Sequence, residues 1–565
     1  MHPHRRIATL SSSHRMNTHH LPQQAQVLIV GGGPVGLTLA IDLAQRGIDV
    51  LLVEQRPQGE RPEAKCNHVS ARSMEIFRRL GLAQTLRDTG LPADHPADVA
   101  YRITFTGDEL SRIPIPSRRD RYTATQGPDT GWPTPEPPHR INQIYLEPVL
   151  MDHARATPGV RILAHTRVED FAQDGQGVSA QATDLDSGAT LTLRCEFLIG
   201  CDGGRSRVRK AIGATLQGVD VVQRVQSTFL RAPDLLRRAR HPPAWATFSY
   251  NPRRSGNVYA IDGIETFVLH NYLRPGETDF ESVDRDASIR TILGVGADFK
   301  YEVISKEDWI GRRLVADKLR ERRVFICGDA AHLWVPMAGY GMNAGIADAM
   351  NLSWLLAGHL QGWAGPRALD AHEAERLPIT EQVSRFAMNH AIALQKERES
   401  VPADLEAQGT AGEALRAAAG KALYDLNVKQ YCCAGLNFGY FYDASPLIVP
   451  DGESPPGYTM DTFTPSTVPG CRTPHVWLDD GRSLYDAMGD GFALLRADPQ
   501  ADASPLLDAA RQRGLPLRVV DLVSAEAESL YRHRWVLSRP DQHVAWRGDA
   551  LPADPLALID RVRGA

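Results

Sequence analysis

The run QVLIV, residues 26–30, is apolar at four successive positions and ends at glycine, which predicts a short strand buried on both faces. GGGPVG (31–36) breaks the run, LTLAIDLAQRG (37–47) is an amphipathic helix stopping at Gly47, and DVLLVE (49–54) is a second buried strand. This order is a βαβ unit.

From 86 to 140 the chain is rich in Pro, Asp and Arg, and WPTPEPPHR (132–140) reads as an irregular excursion. Helical spacing returns in QIYLEPVLMDHARA (143–156), and short alternating segments from 161 to 200 predict a small sheet. Pieces of β type dominate 214–310 (AWATFSY, NVYAI, ETFVLHNYL), which predicts an antiparallel sheet inserted into the nucleotide-binding fold. Helices cover 343–435, and after the linker IVPDGESPPG the last segment carries strand and helix signals of its own.

At 565 residues the chain has room for two to four domains. Hydrophobic residues make up 42 %, charged residues 23 %, and the net charge is −5 with both signs interspersed, so no basic field suggests nucleic acid. No run approaches the roughly 20 apolar residues of a membrane span. The first 25 residues lack the apolar stretch of a secretory signal, so 1–24 is expected to be a disordered leader, with Met16 an alternative start. Seven scattered cysteines without a CxxC pair indicate reduced thiols in a cytoplasm and no metal site.

Three motifs carry the chemistry. In the first, Gly31, Gly33 and Gly36 allow a tight turn whose amides and helix N-terminus approach a pyrophosphate, with Pro34 and Val35 in the same cradle. Glu54, with Gln55 beside it, ends the second strand, where an acid accepts bonds from ribose hydroxyls. In the second, LIGCDGGRSRVRKAIG (198–213), Asp202 is placed to hold backbone or ribose groups, and Arg205, Arg207 and Arg209 are candidates for phosphate. A solvated basic helix end is the plainer reading of those arginines. The third is CGDAAHLWVPMAGYGMN (327–343), a Gly-Asp pair closing a strand before a long helix.

In this order and spacing the chain resembles the single-component FAD-dependent aromatic hydroxylases related to p-hydroxybenzoate hydroxylase and phenol hydroxylase. Arg72 in SARSMEIFRRLGL, Gln143 and Glu147 in NQIYLEPVL, and HEAERLP (372–378) match as well. The resemblance spans about 25–400. It implies an α/β fold in which a Rossmann-like FAD-binding domain (25–213 and 311–400) carries an inserted antiparallel-sheet substrate domain (214–310). A helical connection (401–450) would follow, then a thioredoxin-like C-terminal α/β domain (451–565), redox-inactive for want of CxxC and serving packing or dimer contacts.

The resemblance also implies the reaction. NAD(P)H reduces FAD, O2 adds at the flavin C4a atom, and the resulting hydroperoxide hydroxylates an electron-rich phenolic ring. Asp329 is expected on the ribityl chain, and Gly341, Met342 and Asn343 at the flavin pyrimidine edge, where a helix N-terminus favours negative charge. Pro336 is expected over the flavin ring. His332 reads as a loop-bonding residue. A phenolate needs a base or acceptor; relatives carry an Asp just before the arginine matched by Arg72, where this chain has Asn67 and His68. His68 is therefore one candidate, and His270 and Tyr272, two apart on one strand face and near Tyr259, are others. Expected partners are a small phenolic substrate, O2 and NAD(P)H in a homodimer without nucleic acid or membrane. Competing readings are Baeyer–Villiger oxidation or ring hydroxylation of a polyketide, and a non-oxygenating flavin dehydrogenase.

Overall fold

The computed structural model describes residues 23–335 and 339–565. The expected leader, save its last two positions, lies outside the described residues, as do Pro336 and Ala338.

The predicted βαβ unit forms as read. Strand Gln24–Val30 pairs in parallel with Val50–Val53 on one side and with Thr190–Gly200 on the other. Val160–Leu163 and Val324–Ile326 extend the parallel sheet at its two flanks. Helix Pro34–Gln45 packs on helix Tyr340–Leu360, and their Leu and Ile side chains join the largest apolar core. The alternating segments of 161–200 become a meander, Thr166–Gln173 and Val178–Asp184, attached to Thr190–Gly200.

The second sheet is built around the long strand Leu216–Arg231, which pairs antiparallel with Thr266–Tyr272 and Trp309–Ala316. It reaches beyond the expected insert: Val99–Arg102 adds in parallel to Ala246–Ser249, and Glu109–Ile113 covers that edge. These two strands lie inside the stretch read as irregular. Val99–Arg102 is buried along its whole length and is only four residues long, so neither alternation nor length marks it.

The last domain has strand order Leu517–Asp521, Phe492–Arg496, Trp535–Ser538, Val544–Gly548. The first pair is parallel and the others antiparallel, with a helix after each of the first two strands and a closing helix, Pro555–Val562: the expected thioredoxin-like arrangement. Phe492, Leu494 and Leu537 belong to the same apolar core as the nucleotide-binding domain, and Trp354 of the long helix meets Phe492 edge-on at 5.8 Å. No helix among the described residues is long and apolar enough to cross a membrane.

Candidate active site

One cavity of about 830 Å³ begins at the C-terminal ends of the parallel strands and opens onto a face of the second sheet. Its first wall is the glycine turn. Gly31 sits at φ +111°, and a Cβ there would lie 2.3 Å from the Cys201 carbonyl oxygen. Gly33 has nothing within 4 Å of where its Cβ would be, so a ligand can approach the backbone there, and the helix it begins has no side-chain cap. Gly36 does not line the cavity; it lets the helix start press on the turn, since a Cβ would lie 2.0 Å from the Gly31 carbonyl oxygen. Turn, approach and packing are thus divided among three glycines.

Glu54 accepts from the Gly32 amide (2.7 Å) and the Arg56 amide (2.8 Å). Arg56 also pairs with Glu147 at 2.6 Å, and Gln143 donates to Glu147 at 3.0 Å. Gln143, Glu147, Arg56 and Glu54 form one chain along the cavity, with Gln55 beside them. Asp202 lines the same space, but its carboxylate holds the local turn, accepting from Ser206 Oγ (2.5 Å) and the Arg207 amide (2.7 Å). Arg205 and Arg207 face the cavity. Arg209 is turned away, donating at 3.0 Å to the carbonyls of Ala330 and Gly204 and tying the second motif to the third.

Asp329 opens onto the cavity and makes no hydrogen bond to a described residue; enclosure by protein pushes its carboxyl up. Behind it His332 Nε2 meets Asp348 at 2.7 Å, its Nδ1 having no partner among the described residues, and Asp348 meets Arg376 at 2.8 Å. Burial would push the Asp348 carboxyl up, but His332 and Arg376 hold it well below the carboxylate range. The helix Tyr340–Leu360 starts at Gly339 (φ +63°) without a side-chain cap, and Gly341 and Met342 line the cavity. Asn343 does not line it with its side chain, which accepts from the Ser70 amide (2.9 Å) and donates to the carbonyls of His68 (3.1 Å) and Gly339 (2.6 Å). Arg72 is also absent from the cavity; its guanidinium reaches Glu75 at 2.8 Å, Gln542, and the Asp541 carbonyl at 2.6 Å in the last domain.

An open glycine cradle, an acid at the second strand's end, an unpartnered carboxylate and an uncapped helix N-terminus are the donor and acceptor set that FAD requires. The residues fit the cofactor.

Beyond them the cavity is walled by aromatic rings. Phe248, Tyr259, His270, Tyr272 and Trp309 share one face of the second sheet, as the pairings Phe248 with Asn257, Asn257 with His270, and Tyr272 and Trp309 with Val225 require. Four further lining residues, on three segments, escaped the sequence reading. Trp245 leads into a sheet strand, and Gln430 and Tyr431 end the helix Thr410–Tyr431, expected only as a connection. Arg140, at the end of the Pro-rich excursion, is the third segment's contribution.

The candidate bases divide. Arg140 donates to His68 Nδ1, and an arginine can only donate, so that nitrogen has no free lone pair. Burial, and then Arg140, push the His68 pKa well below its ordinary value. With Nδ1 so occupied, the base role expected of His68 is not open to that nitrogen, and the guanidinium holds the ring in place. His270 packs edge-on between Tyr259 and Trp309, each at 5.6 Å, and makes no hydrogen bond to a described residue. Burial raises the Tyr272 phenol, over whose ring Arg398 lies at 4.3 Å.

Burial also holds His139 at about 3 and His270, His372, His390 and His475 at about 4. An unfolded histidine titrates near 6.5, so between about pH 6.5 and 4 the unfolded chain binds more protons, and stability falls with pH by about 1.4 kcal/mol per histidine per unit. The unfolding midpoint is expected to drop steeply below about pH 6. A midpoint that stays flat down to about pH 5 in thermal scans would contradict the buried neutral histidines.

The comparisons with known proteins decide the family. Residues 24–387 match the FAD binding domain model, and residues 466–564 match the model of the aromatic-ring hydroxylase C-terminal domain. The chain belongs to the FAD-dependent aromatic-ring hydroxylases. It is 33 % identical to tetracenomycin B2 monooxygenase-dioxygenase of Streptomyces olivaceus, over 95 % of this chain and 97 % of that one. It is 30 % identical to phenol 2-monooxygenase of Pseudomonas sp. (strain EST1001), over 96 % of this chain and 93 % of that one. The solved structure of the rebeccamycin biosynthetic enzyme RebC with reduced flavin superimposes with a TM-score of 0.87 at 34 % identity, covering 96 % of this chain and 99 % of that one. The protein is an FAD-dependent aromatic monooxygenase, an oxidoreductase for which NAD(P)H is the co-substrate typical of the family.

Proposed function

We propose that the protein uses NAD(P)H and O2 to hydroxylate a phenolic aromatic ring. The supporting observation is the continuity of one cavity from the glycine cradle to an aromatic-walled chamber. Bound FAD, once reduced, supplies the oxygen-activating chemistry. The cradle of Gly31, Gly33, Pro34 and Val35, with Glu54 and Gln55, holds its adenosine diphosphate half, and Asp202 shapes the turn beside it. Asp329 accepts from the ribityl hydroxyls, and the uncapped helix at Gly341 and Met342 stabilises negative charge on the pyrimidine edge. The chamber's apolar rings exclude water and orient the substrate ring by stacking. His270 is the acceptor for the substrate hydroxyl, since its neutral imidazole has no hydrogen-bond partner among the described residues; Tyr272, kept protonated, donates.

The wall favours several fused rings over a single one. Ring contacts run from Tyr431 to Trp245 (6.1 Å), Tyr259 (5.2 Å), His270 (5.6 Å) and Trp309 (5.6 Å), a longer surface than one phenol covers.

The test is a stopped-flow screen of phenols and naphthols with NADH and NADPH, followed by product mass in isotope-labelled O2. Faster flavin reduction with one compound, and one labelled oxygen in its product, is the expected result. Oxidation of NAD(P)H that yields only hydrogen peroxide with every compound would sink the reading.

A further inference from the structure

We propose that the chamber takes its substrate as an anion, an acidic oxygen on the aromatic frame pairing with Arg140. This deepens the reading of the chamber as an aromatic-substrate site and rests on it. Arg140 lines the cavity at 7 % exposure. Its Nη1 donates to His68 Nδ1; neither Nη2, which is shut away, nor Nε, which is not, has an acceptor among the described residues. No described carboxylate forms an ion pair with it. Asp129, the acid that most favours its charge, is already paired with Arg121, through a 2.7 Å contact to the carboxylate and a 2.5 Å contact to the Asp129 carbonyl. Two guanidinium groups and one carboxylate leave this end of the chamber with one positive charge uncompensated.

A buried cation in this state is costly unless something completes it. Part of the compensation is present: Arg140 lies over the Trp245 ring at 4.5 Å and near Tyr431 at 5.9 Å. Those rings also fix the guanidinium plane, so that a flat ligand carrying an anionic oxygen meets a preset donor rather than a mobile one. His68 fixes the other end. Glycine at 339 leaves it room there, since a Cβ at that position would lie 3.0 Å from the His68 Cβ and 3.1 Å from its Cδ2. In the folded chain, then, His68 and the two rings orient a cation whose counter-charge is missing, and the ligand brings it. The substrate class is an aryl carboxylate or a phenol acidic enough to bind ionised.

The oxidised, FAD-loaded protein, without NAD(P)H, is titrated with 3-hydroxy-2-naphthoate and with 2-naphthol, and binding is read from the perturbed flavin absorbance. The naphthoate is expected to bind at least tenfold tighter. Arg140→Met should abolish the preference, Arg140→Lys should keep part of it, and neither should lower the unfolding midpoint of the ligand-free holoprotein. A third probe, 1-nitro-2-naphthol, is titrated across its ionisation; tightening only when it is ionised identifies a phenolate as an accepted partner, again lost in Arg140→Met. Equal binding of the two naphthalenes, binding by neither, or a preference that survives in Arg140→Met overturns the proposal. Because no turnover enters, a protein that keeps the preference yet hydroxylates nothing would refute the hydroxylase reading alone.

Discussion

Gly36→Ala is expected to lose at least a hundredfold in FAD affinity, about 2.8 kcal/mol at 1.4 kcal/mol per decade, and to unfold at lower temperature. The methyl carbon would lie 2.0 Å from the Gly31 carbonyl oxygen and 3.3 Å from Cys201 Cβ. Neither neighbour can yield cheaply. Gly31 is held at φ +111° by the turn and its amide donates to the Val53 carbonyl at 2.8 Å; Cys201 donates its amide to Val30 at 2.8 Å. The helix must therefore lift off the sheet, carrying its N-terminal amides away from the pyrophosphate position, and overpacking of this kind costs roughly 1–3 kcal/mol or more. Gly33→Ala makes the control. Its φ of −77° suits alanine and no protein atom lies within 4 Å of the new carbon, so the apoprotein should unfold at the wild-type temperature. FAD retention should still fall, because the methyl occupies the ligand's side of the cradle. Flavin-to-protein absorbance after gel filtration, together with apoprotein thermal scans, separates the two effects. If both variants retained FAD as well as the wild type, or if both apoproteins unfolded at the same temperature, the division of labour among the glycines would be wrong.

The cradle was legible in the sequence because each glycine answers a local constraint at fixed spacing, and the βαβ unit because four-residue apolar runs and a helical period are local signals too. Fold class followed from those motifs and the resemblance. The chamber was not legible in the same way. Trp245, Arg140 and Tyr431 meet only after three segments, one read as excursion and one as connection, pack against each other, and no period within any of them records the meeting. His68 shows the same limit for chemistry: whether it is a base is decided by Arg140, 72 positions away. Arg72 shows it for location. The motif around it matched, yet its side chain is claimed by Gln542, 470 positions away, so that a position associated with cofactor binding serves to anchor the last domain.

That anchoring leads to the second large effect, in Arg539→Met. Arg539 is fully buried, donates to both oxygens of Glu375 (2.6 and 2.8 Å) and both of Asp541 (3.0 and 2.6 Å), and lies over Trp354 at 4.9 Å. Glu375 belongs to the helix Ala368–Glu399 and also accepts from Asn351 at 2.6 Å, so the arginine joins the last domain to the nucleotide-binding domain through one buried charge cluster. Burial pushes the Asp541 carboxyl up, and Arg539 and His543 more than reverse this, holding it well below the carboxylate range. Methionine fills much of the same volume but leaves two carboxylates without their counter-charge, a loss of about 3–5 kcal/mol. The sign with pH is fixed. In the wild type a depressed carboxyl contributes stability above its unfolded pKa, near 3.9, and loses it as pH falls through the folded value. In the variant burial is left to raise the Asp541 carboxyl, so its penalty grows as pH rises and fades as it takes up a proton. The gap between the two unfolding midpoints should therefore be widest at about pH 8 and narrow toward about pH 5. Adding Glu375→Gln and Asp541→Asn should recover part of the loss at high pH, because two neutral amides need no counter-ion. Limited proteolysis should cut the variant first in the linker near Glu453 and Gly457, while a gap that stayed constant with pH would show that the domain is held by its apolar contacts alone.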